Sequence, residues 1–425
     1  MIYYGTGSAT TVLTNDDLKN GLYTALDKIG RRKKVLAVPP DITRIHSRAG
    51  DITKLIYEYY GKNLTDILPA LGTHVPMTEE ETDKMFPGVP KNLFRVHDWR
   101  NEVVTLGVIE EDYIAEITEG KIRYAWPAQV NRLIRHGGHD LVISVGQVVP
   151  HEVTGMANYT KNILVGTGGS EGINKSHYIG AVYGMERLLG KADNPVRQLL
   201  NYAASIYLKD IPIIYVLTVV GRDETGRLVT RGLFIGDNNE VFMLASDLSL
   251  KVNFTVTGKP LRKVVVYLDH GEFKSTWLGN KSIYRTRMAM ADNGELIVLA
   301  PGLREFGEDK EIDRLVRKYG YRGTPATLKA VEENEELRRN LGAAAHLIHG
   351  STEGRFSVTL CPGILTREEI ESAGFNYADI NDMTMKYNPS KLKDGYNILP
   401  GGEEIYYISN PATGLWASKE RLQKR

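Results

Sequence analysis

Apolar positions along the chain recur with two different periods. Leu18, Leu22, Leu26 and Ile29 stand three or four residues apart behind the polar cluster Thr14-Asn15-Asp16-Asp17, which predicts an N-capped amphipathic helix closed by Gly30. The pattern then changes to Val35-Leu36-Ala37-Val38, an unbroken apolar run stopped by Pro39-Pro40. Such a run predicts a strand buried on both faces, as in a parallel sheet. The alternation continues with a helix over 51–60, a strand over 65–71, and a helix opened by the capping box of Thr78 and Glu81. Residues 123–126 lead into a helix opened by Pro127, and 141–145 form the next strand. A helix over 195–208 precedes a strand over 211–220. Asp223-Glu224-Thr225-Gly226 then turns that strand into a hairpin with 228–234, read as a two-strand edge, and 238–252 is helical.

The polar, turn-rich segment Val256-Thr257-Gly258-Lys259-Pro260 marks a boundary, after which the α/β pattern restarts. Strands are expected over 264–268, 296–299 and 356–360, with helices over 310–319 and 327–349. A chain of 425 residues is too long for one hydrophobic core, since single cores stop growing near ~250–300 residues. The expectation is an α/β protein of two domains, 1–257 and 258–425, each with a mostly parallel sheet flanked by helices. No internal repeat or low-complexity tract interrupts it.

Composition changes this picture by exclusion. Charged residues make up 25% of the chain with a formal net charge of +1, which leaves no basic footprint for nucleic acid. The single cysteine, Cys361, rules out an intrachain disulfide and an all-cysteine zinc site, and fits a reducing cytoplasm. The first residues lack a basic segment followed by an apolar run, and no stretch approaches the ~18 apolar residues of a membrane span. A cytoplasmic enzyme without membrane or nucleic-acid partners is expected. The sequence carries no signal of oligomeric state.

Candidate chemistry concentrates in residues 146–180. His151, Lys161 and His177 lie in one run, with Gly166-Thr167-Gly168-Gly169 between the lysine and the second histidine. Imidazoles move protons or bind metals, a lysine can attach a cofactor, and successive glycines let backbone amides approach a phosphate. Each feature alone is common in ordinary loops. Two further sets stand past the ends of expected strands: Asp41-Ile42-Thr43-Arg44 and Gly72-Thr73-His74-Val75-Pro76. Parallel α/β sheets bind ligands beyond the carboxyl ends of their strands, so these groups form a coherent set. His136 and His139 flank a glycine pair and read as cap and turn residues, and His46 as a turn residue. His97 and His270 have no evident partner, and Cys361 reads as a small buried hydrophobe.

Asp41-x-Thr-Arg44, Gly-Thr-His74-x-Pro, and His151 followed ten residues on by Lys161 and sixteen further by His177 together resemble the lactate racemase family, the nickel-pincer-nucleotide-dependent 2-hydroxyacid racemases and epimerases. That family carries D-x-T-R-P, G-x-H-R-P and S-H-x9-K-x15-H motifs in this order. Ile45 replaces the proline after the arginine, and Val75 the arginine after the histidine; neither is a reacting group. The resemblance implies a cofactor-binding catalytic domain and a substrate-closing domain with the active site in the cleft between them. Lys161 would carry the cofactor, a pyridinium-3-thioamide-5-thiocarboxylic acid mononucleotide with nickel, in covalent linkage, and His177 would be the protein's nickel ligand. Asp41, Arg44, Thr73, Gly166, Gly168 and Gly169 would bind the cofactor, and Arg44 would also serve the substrate carboxylate. His74 and His151 would be the acid–base pair, one removing the 2-hydroxyl proton as hydride passes from C2 to the cofactor and the other restoring a proton on the opposite face. Separate biosynthetic enzymes would supply the nucleotide.

The substrate expected is a small 2-hydroxy acid. Relatives acting on lactate carry a tryptophan on the helix that corresponds to residues 340–349 and a lysine near Met288. Here that helix reads Asn-Leu-Gly-Ala-Ala-Ala-His-Leu-Ile-His. The resemblance then implies a larger pocket, with Tyr284, Arg285, His346 and neighbouring Lys274, Asn280, Lys281 and His349 available to several hydroxyls. That favours a sugar (aldonic) acid such as gluconate over lactate. The alternatives are a racemase of lactate or another short-chain 2-hydroxy acid, and an NAD-dependent 2-hydroxyacid dehydrogenase. Against the dehydrogenase, the loop starting at Gly166 does not fit G-x-G-x-x-G, and no acidic residue closes a second strand at the usual distance.

Overall fold

A computed structural model describes residues 1–412 and 414–423. The protein is α/β and divides into two compact units, Met1–Ile179 with Leu188–Asn253, and Gly180–Arg187 with Phe254–Arg425. No helix among the described residues is long and apolar enough to cross a membrane.

The first unit is built on a six-stranded sheet. Its strands are β1 (Ile2–Gly7), β2 (Val35–Val38), β3 (Leu64–Ile67), β6 (Leu141–Gln147), β9 (Ile213–Arg222) and β10 (Leu228–Gly236), in the order β1-β10-β9-β6-β2-β3. The neighbours β9, β6, β2 and β3 pair in parallel, while β10 runs antiparallel to β9 and to β1. All four residues of β2 are buried, as an unalternated apolar run requires. The helix Asn15–Ile29 begins at a Thr14–Asp17 capping box and sets Leu18, Leu22 and Leu26 against Val35, Ala37, Ile143, Val145 and Val216. Each leucine so buried contributes roughly 1.5–3 kcal/mol of apolar transfer.

Several expectations are corrected. Pro127 opens no helix: Trp126–Asn131 is a strand, β5, paired antiparallel with β4 (Val103–Ile109). A two-stranded ribbon always has a side free of ladder bonds, so it accommodates proline, and the buried Trp126 Nε1–H donates to the Gly172 carbonyl at 2.8 Å. The 223–226 hairpin is not an edge, because β1 covers β10. The strand expected over 65–71 ends at Ile67, and the helix before it begins at Ala49, behind a 3-10 turn over Ile42–Ser47.

The second unit has a six-stranded sheet of its own. After β11 (Phe254–Thr257) come β12 (Leu261–Tyr267), β13 (Met290–Ala300), β14 (Phe356–Pro362), β15 (Asn376–Tyr377), β16 (Gly395–Ile398) and β17 (Glu404–Ile408). They are ordered β15-β14-β13-β12-β17-β16 and all parallel except β16. Strand β11 pairs separately with β18 (Leu415–Ser418). Cys361 is buried on β14 beside Val265, Ile297 and Tyr407, and burial pushes its thiol up to about 12. The segment Gly180–Arg187 belongs to this unit through Glu186, which accepts from Arg287 and Arg355, each at 3.0 Å. The helix expected over 327–349 is three helices, Thr324–Glu333, Glu335–Arg339 and Leu341–His349. Asn334 and Asn340 leave helical geometry between them, and the Asn340 side chain caps Ala343, as asparagine does by competing for backbone amides.

Candidate functional site

Three parallel strands of the first unit deliver the reactive side chains past their carboxyl ends. Beyond β2, the chain bridges Pro40 to Ala70 and presents Asp41. Beyond β3, a turn closed by His74 N–H to the Leu71 carbonyl presents Thr73 and His74, both half-buried. His74 Nδ1 lies 2.6 Å from Asp41 Oδ2, and the Thr43 hydroxyl donates to Asp41 Oδ1. Burial works to raise the Asp41 carboxyl but is outweighed by His74, through the charge its ring carries when protonated and through its hydrogen bond, and by the Thr43 bond and the Arg44 charge, which hold it below its ordinary value. The Arg44 guanidinium makes no hydrogen bond or ion pair among the described residues, although its charge reaches Asp41, His151 and Lys161.

Past β6, a small ribbon of β7 (Pro150–His151) and β8 (Gly155–Met156) carries His151. Its Nδ1 accepts from the Val153 amide at 3.1 Å. Burial is the largest cause holding this imidazole well below its usual range. Glu152 opposes it, while Lys161, Arg44 and His177 act with it.

Lys161 follows two consecutive residues in left-handed geometry, Asn158 (φ 67°) and Tyr159 (φ 59°). Such positions cost of order 1–3 kcal/mol each and persist only where the surroundings enforce them. Here Arg197 enforces them. From a buried position it donates to the Met156 and Asn158 carbonyls and to Thr160 Oγ1, at 2.6, 3.2 and 3.0 Å. The Tyr159 ring meanwhile packs on Tyr215 and Phe242. Burial and then the Arg44 charge lower the Lys161 amine to about 8. His177, on the helix Ser170–Tyr183, donates from Nδ1 to the Ile173 carbonyl at 2.7 Å, and burial followed by the Lys161 charge lowers it to about 4. It is neutral with a free Nε2 lone pair.

The glycine loop sits against the His74 turn through Gly72 N–H to the Gly166 carbonyl at 2.8 Å. The amides of Gly166, Thr167 and Gly168 are already bonded to the carbonyls of Lys161, Ile163 and Val165. The amide of Gly172, in the first turn of the helix behind the loop, is likewise bonded, to Gln129 Oε1 at 3.2 Å. His97, without an evident partner in the sequence, braces the loop: its Nε2 donates to the Gly168 carbonyl. Arg197 was likewise invisible to sequence reasoning, its only signal being a place on an otherwise amphipathic helix. His139 pairs with Asp66 at 2.9 Å.

In the second unit, Tyr284, Arg285 and His346 are all buried. Arg285 Nη1 donates to the Gly414 carbonyl at 3.0 Å, and His346 Nε2 is hydrogen-bonded to the Tyr321 hydroxyl at 2.8 Å. Those atoms are engaged within their own unit.

Asp41, Arg44, His74, His151, Lys161 and His177 thus form one electrostatically coupled set within the first unit. Residues 18–187 match the family model of the lactate racemase N-terminal domain, which supports that family for this part of the chain. Two solved structures resemble the chain over nearly its full length. One is a protein from Thermotoga maritima, at 25% identity and TM-score 0.80, covering 96% of this chain and 99% of that one. The other is the lactate racemase apoprotein from Thermoanaerobacterium thermosaccharolyticum, at 18% identity and TM-score 0.70, covering 98% of this chain and 94% of that one, a likeness of fold. No curated protein matches the chain.

Proposed function

We propose that this protein is an isomerase that inverts C2 of a 2-hydroxy acid. The observation that carries the reading is Arg44, a guanidinium unpaired among the described residues, whose charge reaches the Asp41 carboxylate, the His151 imidazole and the lowered Lys161 amine. A guanidinium fork is suited to a carboxylate. Inversion at a carbon bearing hydroxyl and carboxylate needs proton-transfer groups serving both faces, and His74 and His151 supply two.

The cofactor proposed for this reaction is the nickel-pincer nucleotide. Among the described residues no three ligating side chains gather as a metal cluster. A nucleotide with its own sulfur and carbon donors asks for one amine and one imidazole. Lys161 and His177 fit that demand: the amine deprotonates near pH 8 and the imidazole keeps a lone pair. When bound, the group would accept and return hydride at C2. The chain's part is to hold the carboxylate at Arg44 and move the hydroxyl proton at His74 or His151. Within the acid class we favour a sugar (aldonic) acid such as gluconate over lactate, on the support of Gly342–Ala345, where no side chain exceeds a methyl group.

The test uses protein made together with the cofactor-synthesis enzymes. Intact mass and metal content are measured, then L-lactate, D-lactate, malate and gluconate are supplied and C2 configuration followed by chiral chromatography. Inversion of at least one acid, lost in Lys161→Ala together with any mass increment, is expected. Loaded protein that inverts none of them would falsify the reading, and faster turnover of lactate than of gluconate would remove only the sugar-acid preference.

A further inference from the structure

The partners of two ring nitrogens make the two acid–base imidazoles unlike. An ionised carboxylate only accepts and a peptide N–H only donates. His74 Nδ1 faces the Asp41 carboxylate at 2.6 Å, so its proton sits on Nδ1 and Nε2 keeps a lone pair. His151 Nδ1 faces the Val153 amide at 3.1 Å, while the Glu152 carboxylate stands 3.9 Å away, beyond hydrogen-bond distance, so Nδ1 is the lone pair and the proton of the neutral ring sits on Nε2. The two settings are built by different means. Asp41 is 4% exposed and steadied on its other oxygen by Thr43, whereas Val153 is the second residue after His151 in the turn joining β7 to β8.

We propose that Asp41 is a positioning residue that holds His74 as a proton acceptor, while the Val153 amide holds His151 as a hydrogen-bond donor, so that the resting protein is asymmetric. The tautomers stand on geometry alone; their consequence rests on the isomerase reading above. The enantiomer whose hydroxyl meets His74 is the one the resting protein deprotonates. The O–H bond breaks, the proton joins Nε2, the electron pair stays on oxygen, and the imidazolium formed is balanced by Asp41. Before His151 can accept a proton at Nε2, its ring must release Val153 and carry its proton on Nδ1 instead. Asp41 thereby acts through His74 and need not touch the cofactor.

The test reads tautomers directly, on protein without cofactor or substrate. Histidine-15N-labelled protein is studied by long-range proton–nitrogen correlation near pH ~8, above the ordinary imidazole range of ~6.5. Signals are assigned with His74→Gln and His151→Gln. The expected spectrum shows His74 protonated on Nδ1 and His151 on Nε2. In Asp41→Ala, His74 should move to the Nε2–H form that free imidazole side chains prefer, with His151 unchanged. The same tautomer in both rings of the wild-type protein, or a His74 tautomer indifferent to Asp41→Ala, overturns the proposal. The wild-type spectrum decides even where the variant does not fold. Because no turnover is measured, failure of the racemisation assay and failure of this proposal are separate results.

Discussion

His97 donates from Nε2 to the carbonyl of Gly168 at 3.1 Å, from a ring that is 1% exposed. Its other nitrogen, Nδ1, accepts the Asn131 amide at 3.1 Å. Both ring positions are therefore satisfied by the neutral form, and an added proton would meet a donor. Burial is the main cause lowering this histidine to about 4.

A stability dependence on pH follows. The folded-state value lies below the unfolded ~6.5, so the unfolded chain binds the extra proton between the two. The contribution is fully present above ~6.5 and is lost as pH falls toward about 4, at roughly 1.4 kcal/mol per unit. Denaturant unfolding of wild type and His97→Gln at pH ~7.5 and ~4.5 should show the wild type losing about 2–3 kcal/mol more than the variant. An equal loss in both proteins would show that His97 does not titrate in this window.

Adjacent glycines in the braced loop should respond unequally to alanine. A Cβ at Gly168 would stand 2.4 Å from the Leu164 backbone carbonyl, whereas at Gly169 the nearest atom, at 2.5 Å, is Oε1 of the Gln129 side chain. A helix backbone cannot yield as a glutamine tip can. Gly168→Ala should cost about 1–3 kcal/mol, the usual range for overpacking, and Gly169→Ala less. Thermal unfolding of the two variants checks the order, and the reverse order would mean that the loop, not the helix, gives way.

Lys161 should be acylated with a lower pH midpoint than an ordinary surface lysine. Its amine is lowered to about 8 by burial and Arg44, against ~10.4 for an ordinary lysine. Treatment of the cofactor-free protein with acetic anhydride over a pH series, read by peptide mass, should give half-maximal modification of Lys161 near pH 8. Arg44→Met should move that midpoint upward by relieving like-charge repulsion. A midpoint unmoved by Arg44→Met would leave burial and the Arg197 charge as the causes.

Local order in this chain was legible because it depends on residues near one another. The Thr14–Asp17 and Thr78–Glu81 capping boxes, the β2 run closed by Pro39, and the helix Lys310–Tyr319 all stand where residue spacing puts them. So does the delivery of Asp41, His74 and His151 past successive parallel strands, because a buried parallel strand announces its own end. Periodicity records only that a face is buried, not what buries it. It therefore could not tell that Pro127 lies in a ribbon or that β1 covers β10. Nor could it show that Asn334 and Asn340 break one apparent helix into three. The bonds that set proton positions lie further out of reach. Asp41 meets His74 across 33 residues, His97 meets Gly168 across 71, and Arg197 meets Met156 across 41. Only the folded chain decides such pairings, since hydrogen bonds depend on ångström-scale placement that sequence spacing does not carry once strands and helices intervene.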